Sequence, residues 1–418
     1  MSGITIQDTQ IRSISGPVSV FFLRPKPHIY KDGNASNFPL IMLFGDAHQS
    51  TERMCNDCTC DQSKNDAGKC CYKIYDPSFL QLLDTLADDK HPVDFYTETF
   101  QHGTHSENPR PPMAKLASDM KFVTCYQRNL RGTSAYRKYC PTRYIRWHGG
   151  DSRQSGSIFG RGTIYENLPG EIKREDIILT KRYIQNLNIE SQLYYLLHFA
   201  LNVDKTRASL FINQTILETY ANLERFLISS IENPESFAQE LFSMMTYKNS
   251  VIYKQIMKQN YPGFRTVNDW AKLYAQNLVN LRRQSFCIAY YYGSEAITKE
   301  KFFLDKMSQT YHLKKILDDI NSALMDIYFI SRMLKQPSGG IRSSLTFGYF
   351  GHAHILNVVR LLHQINVYDL VYFKNMTQLV DGHPSRCKII DFSLDLSAEV
   401  RLHNQAVDRE NLKNPKNL

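Results

Sequence analysis

Hydrophobic positions change their spacing along the chain. Between residues 18 and 100 short apolar runs predominate: VSVFFL (18–23) is closed by Pro25 and Pro27, and PLIMLF (39–44) is apolar throughout. A run without polar alternation predicts a strand buried on both faces. DPSFLQLLDTLADD (76–89) instead sets Phe79, Leu82, Leu83 and Leu86 at helical spacing, with Asp76 as N-cap and Pro77 in the first turn. VDFYTETF (93–100) returns to a strand. Strand, helix, strand reads as a βαβ unit whose first connection carries a Cys-rich insertion of roughly 30 residues.

From residue 176 the period becomes helical. Ile216, Tyr220, Leu223 and Leu227 recur on one face, as do Leu313, Ile316, Leu317, Ile320, Leu324 and Ile327. Pro234 after Asn233 opens a helix, and PSGG (337–340) ends the last one. Beyond it the strands resume: LTFGYF (345–350), a helix over ILNVVRLLHQI (355–365), then YDLVYF (368–373). The expected fold class is α/β, a mostly parallel central sheet with flanking helices and a large inserted all-helical subdomain. Residues 1–175 form one half of that sheet and 341–402 complete it, with 176–340 as the insertion. The polar residues 403–418 are expected to fray.

Composition narrows the class. The chain has 418 residues, 42% hydrophobic and 22% charged, as soluble globular proteins do. No apolar run is long enough to span a membrane. MSGITIQDTQIRSISG has no basic region ahead of an apolar core, so a cytoplasmic location is expected. The net charge of +9 is concentrated: residues 110–153 hold ten Lys/Arg against Asp119 and Asp151, or +8. An anionic small molecule, an acidic partner or a nucleic acid would suit that segment, and so would a plain solvated face. No RRM, KH or helix-turn-helix signature supports nucleic acid. Five of the nine cysteines (Cys55, Cys58, Cys60, Cys70, Cys71) crowd into residues 55–71. Disulfides, a zinc site and free thiols all remain open for them. The sequence does not fix an oligomeric state.

Two strands end alike. FGDAH (44–48) follows the first buried run, and FGHAH (350–354) follows the late one. Ligands of open α/β sheets bind outside the carboxyl ends of strands. Asp46, His48, Glu98, His352 and His354 all fall at such ends. If the strands are neighbours, imidazoles and carboxylates converge there as a shell for a divalent metal such as Mn, Zn, Fe or Co. His48, His354, Glu98 and His352 are its candidate ligands. Each glycine would let the backbone turn sharply or let a ligand approach closely. A third end, YIRWHGGDSR (144–153), offers Arg146, His148, Asp151 and Arg153 for an anionic substrate group.

GDAH, the strand ending at Glu98, and GHAHILNVVRLL together resemble the TraB/Tiki, ChaN and erythromycin-esterase-like superfamily. Its members carry paired Gly-x-x-His motifs on either side of a helical insertion. The resemblance covers residues 38–100 and 340–375. It implies metal-dependent hydrolysis, a metal-independent His/Glu esterase, or haem binding, with His48 and His354 as ligands or bases and Glu98 likewise. The Cys-rich insertion and RWHGGDSR have no counterpart in those families. The whole chain also resembles proteins of large cytoplasmic DNA viruses, a likeness that names an origin and no activity.

Two functions follow as expectations. One is a hydrolase in which a metal acidifies water and Glu98, His48, His354 or Asp46 moves the proton. The other is an inactive structural or binding protein, virion-associated, whose basic segment holds an anionic partner. Neither a G-x-S-x-G elbow nor a nucleotide-binding glycine motif is present.

Overall fold

The two unbroken apolar runs become doubly covered strands: every residue of Leu40–Asp46 and of Leu345–Gly351 is buried. In this computed structural model the described residues are 3–7, 9–46, 70–98, 142–149, 233, 235–236, 238–239, 242, 266–291, 322–323, 325–334, 341–375, 379–380, 383–384, 387–389 and 393–413. The chain divides into two compact units, Met1–Asp151 with Ile330–Leu418, and Ser152–Phe329.

The first unit is built on two sheets. Its strands are β1 (Gly3–Ile6), β2 (Thr9–Ser15), β3 (Ser19–Pro25), β4 (Leu40–Asp46), β5 (Cys70–Lys73), β6 (Val93–Thr97), β7 (Ile145–Gly149), β8 (Leu345–Gly351), β9 (Tyr368–Asn375), the short pair β10 (Leu379–Val380) and β11 (His383–Pro384), β12 (Cys387–Ile389) and β13 (Ser393–Asp395). Six of them form the central sheet in the order β7-β6-β8-β4-β3-β9. The pairings of β7 with β6, β6 with β8 and β8 with β4 are parallel, while β3 is antiparallel to both β4 and β9. A mostly parallel central sheet is therefore present, as the apolar runs predicted.

A second sheet, formed by β12, β2, β1 and β13 with β5 also paired to β2, was not foreseen. Its inward residues Ile4, Ile6, Ile11 and Ile14 join one core with Met42, Phe44, Phe95, Trp147 and Phe347 of the central sheet. Helix α2 (Pro77–Asp84) closes that core through Phe79, Leu80 and Leu83. Asp76 caps it by accepting from the Ser78 N–H at 3.0 Å, as the sequence predicts. On the other side of the central sheet, α4 (His352–Gln364) packs against β4, β8 and β9 and buries Ile355, Val358, Leu361 and Leu362. A short α1 (Pro27–Lys31) bridges β3 and β4. Cys71 is disulfide-bonded, and the other four crowded cysteines have no described side chain.

In the second unit the described residues are helical, chiefly α3 (Val267–Tyr291), which buries Trp270, Tyr274 and Leu278. Asn277 Nδ2 donates to Asp326 Oδ2 at 3.0 Å and to the Ala323 carbonyl at 3.2 Å. Most of 176–340, and most of the basic segment 110–153, lies outside the described residues.

Residues 403–413 do not fray; they continue α5 (Leu396–Lys413). Polar contacts account for the misleading composition. Glu410 accepts from the Ala35 and Ser36 N–H groups at 2.7 and 2.9 Å, and Arg24 Nη1 reaches both Glu399 oxygens at 3.1 and 3.2 Å. His91 Nε2 lies 3.2 Å from Asp408 Oδ1. His403 is 2% exposed, with Nδ1 3.1 Å from the Tyr30 hydroxyl. Burial, helped by the neighbouring His91, lowers its pKa from 6.5 to about 4.

The folded chain keeps His403 neutral where the unfolded chain would protonate it. Its contribution is therefore full above pH 6.5 and lost as pH falls to about 4. At 1.36 kcal/mol per pKa unit that loss is about 3 kcal/mol. Urea unfolding of wild type and His403→Phe across this range should show the variant losing less stability by about that amount; parallel pH profiles would refute it.

Candidate functional site

Because β4, β6, β7 and β8 run parallel, their carboxyl ends share one edge. The register places Asp46 beside Gly351, and Thr97 beside both Tyr349 and Gly149. The two similar motifs are thus adjacent, although about 300 residues of chain separate them.

Glu98 follows β6 and is tied to β8 from both ends. Its N–H donates to the Tyr349 carbonyl at 3.0 Å, and its Oε2 accepts from the Gly351 N–H at 2.6 Å. Gly351 is the N-cap of α4 and offers no side chain for capping. Glu98 therefore serves as the capping carboxylate from another strand, where the helix dipole favours a negative charge. Its other oxygen, Oε1, lies 3.8 Å from His354 Nε2. Both side chains are largely buried, at 5% and 15% exposure. Two ligands of one metal lie about 3–4 Å apart, so the pair fits that role. A small closure would instead bring them into hydrogen-bond range for proton transfer.

His352 turns elsewhere. Residues two apart on a helix point about 200° apart, and His352 Nδ1 lies 2.7 Å from Ser19 Oγ on β3. With β6 and β3 separated by β8 and β4, the two imidazoles of FGHAH serve different strands. Gly45 explains how His352 fits. It is a paired residue within β4, opposite Ser19, and not a turn. A Cβ there would sit 2.2 Å from Ser19 Oγ, 3.0 Å from His352 Nδ1 and 3.1 Å from His352 Cα. Asp46 is 1% exposed, and its Oδ1 accepts from the Tyr349 hydroxyl at 3.0 Å.

Arg146 and His148 lie on β7 and converge on Asp94, a residue that no sequence motif singles out. Arg146 Nε and Nη2 donate to the two Asp94 oxygens at 2.6 and 2.9 Å, and His148 Nε2 lies 2.9 Å from Oδ1. Arg146 Nη1 also reaches the Ile341 carbonyl at 2.7 Å. Burial alone would raise the Asp94 pKa, but the charges and hydrogen bonds of His148 and Arg146 hold it down at about 2. Burial also draws the His148 imidazole below its ordinary range, against the pull of Asp94 and with the help of Arg332 and Arg146. The one available signal was a lone acid inside an otherwise apolar strand, VDFYT.

His48, Asp151 and Arg153 lie outside the described residues. Among the described residues no three His, Cys, Asp or Glu side chains gather as metal ligands. Glu98 and His354 could supply two positions of a metal shell.

Gly45→Ala should destabilise the chain by about 1–3 kcal/mol through overpacking, and Ser19→Ala in the same chain should recover some of that loss. Equal urea midpoints for wild type and Gly45→Ala would refute the close approach. Asp94→Ala leaves Arg146, itself partly exposed, without its carboxylate, for an expected loss of about 2–3 kcal/mol; calorimetry showing under about 1 kcal/mol would overturn the structural weight given to this ion pair. No family model, curated protein or solved structure matches this chain.

Proposed function

We propose that the chain is a hydrolase whose reaction takes place at the carboxyl edge of the central sheet, on Glu98 and His354. The single supporting observation is their 3.8 Å approach, both side chains largely shielded from solvent, at the start of α4. In this reading the segment 176–340 is a helical insertion between the two halves of the sheet. His354 takes a proton from water, and Glu98, fixed by the Gly351 N–H, orients the imidazole and stabilises its charge. A divalent metal (Mn, Zn, Fe or Co) would be held by Glu98 and His354 with His48 as the third ligand, and when bound it supplies an acidified water. Asp46 and His352, both engaged with neighbouring strands, hold the edge in shape.

A second reading also has support. The Gly351 contact accounts for Glu98 as a helix cap without any chemistry, as a catalytically inactive binding protein would need.

Metal content and hydrolysis of a panel of activated esters separate the two. Expected are about one ion per folded chain, lost in His354→Ala, and hydrolysis that falls at least about 100-fold in Glu98→Gln and His354→Ala. A metal-free wild type that still hydrolyses, with the same two losses, selects the metal-free His/Glu version. Wild-type protein with neither metal nor turnover sinks the hydrolase and leaves the binding protein.

A further inference from the structure

No motif in the sequence marks Arg332. It belongs to the helical residues 325–333, and its carbonyl accepts from the Tyr96 hydroxyl at 3.0 Å. The Tyr96 ring stacks on His148 with centroids 4.7 Å apart and planes 21° from parallel. Tyr96 and His148 face each other in the β6–β7 register. Alternate residues of an extended chain share a face, so Asp94, Tyr96 and Glu98 project to one side of the sheet. Arg332 therefore stands over the same face that presents Glu98, one register step away.

Pairing on this face is uneven. Asp94 is matched by Arg146 through two nitrogens and by His148 through Nε2. Arg332 has no ion pair or side-chain hydrogen bond among the described residues, and its Nε is shielded from water without an acceptor. Its charge is nevertheless felt at His148, where it disfavours protonation. A shielded cationic donor without an acceptor is unfavourable. The residue is partly exposed, so a ligand can reach it. Asp94 is matched by Arg146, and Glu98 is engaged with the Gly351 N–H and His354, so an anion brought from outside would supply the acceptor that Arg332 Nε lacks among the described residues.

We propose that Arg332 is the anion receptor of the edge site, holding a carboxylate, sulfate or phosphate group of a small substrate through its guanidinium. The reacting bond would then lie about two residues of strand away, roughly 7 Å, at Glu98 and His354. This placement rests on the hydrolytic reading for the bond that is cleaved; the anion site itself does not. His148 stays committed to Asp94 through Nε2 and stacks on Tyr96. Arg146 is likewise committed to Asp94, which leaves Arg332 as the cation for the ligand.

Titration of the full chain with inorganic phosphate and, separately, acetate tests the proposal, followed by calorimetry and by the arginine Nε–H resonances. Expected is saturable binding of at least one anion, weakened about ten-fold or more in Arg332→Gln, which corresponds to one charge-assisted contact. Glu98→Gln should bind at least as tightly as wild type while losing hydrolysis. Preference for phosphate marks a tetrahedral group, and preference for acetate a planar one; either supports the site. If Arg332→Gln fails to fold, Arg332→Lys keeps the charge but lacks the fork, and should bind several-fold more weakly. Absence of saturable binding in wild type, or unchanged affinity in the folded Arg332 variants, overturns the proposal. Anion binding that persists in a chain without hydrolysis would instead overturn only the hydrolytic reading.

Discussion

The parallel pairing of β4 with β8 is the constraint on which the site depends. It brings Asp46 level with Gly351, and so sets one end of the first half of the sheet against the start of α4. Closing a loop of about 300 residues carries an entropic term of about 5 kcal/mol. Fourteen residues, seven from each strand and all buried, offset it. At about 25 cal/mol per Å² of apolar surface, a few of those side chains suffice. The joining segment is then free to be long, because doubling its length adds only about 0.6 kcal/mol.

Glu98 makes a structural contact with one oxygen and leaves the other facing an imidazole. A carboxylate at a helix N-terminus is favourable in its own right, and the Gly351 N–H holds Oε2 in place. That leaves Oε1 fixed toward His354 with little rotational freedom. In the hydrolytic reading we propose, the capping contact would pre-organise the other oxygen for proton transfer or ligation. Asp94 acts comparably at the neighbouring strand pair, neutralising Arg146 and orienting His148.

Strands with unbroken apolar runs were legible, as were the N-cap at Asp76, the paired strand ends and the helix after Gly351. What escaped the sequence involves partners far along the chain. Ile4, Ile6, Ile11 and Ile14 alternate only partly, and the strands that complete their sheet, β12 and β13, lie near residue 390. Gly45 reads from sequence as a turn or as room for a ligand, because nothing local reveals that Ser19 and His352 occupy the space above it. The end of α5 looked frayed because its anchors are Glu399, His403, Asp408 and Glu410, and polar anchors leave no apolar stripe. Arg146 and His148 were expected together at a strand end; Arg146 instead lies near the start of β7, and the carboxylate that both engage, Asp94, lies in a segment read only as a strand.

The second sheet has a mechanical consequence. β1, at the start of the chain, pairs in parallel with β13, which leads directly into α5. Tension applied between the first residues and the end of α5 would pull these two strands along their length in opposite directions. Their hydrogen bonds would then be loaded in shear together, not peeled one by one. Resistance to such force is governed by the unfolding rate, not by equilibrium stability. The seam between β1 and β13 thus lies directly in the load path, ahead of the sheet that carries the site.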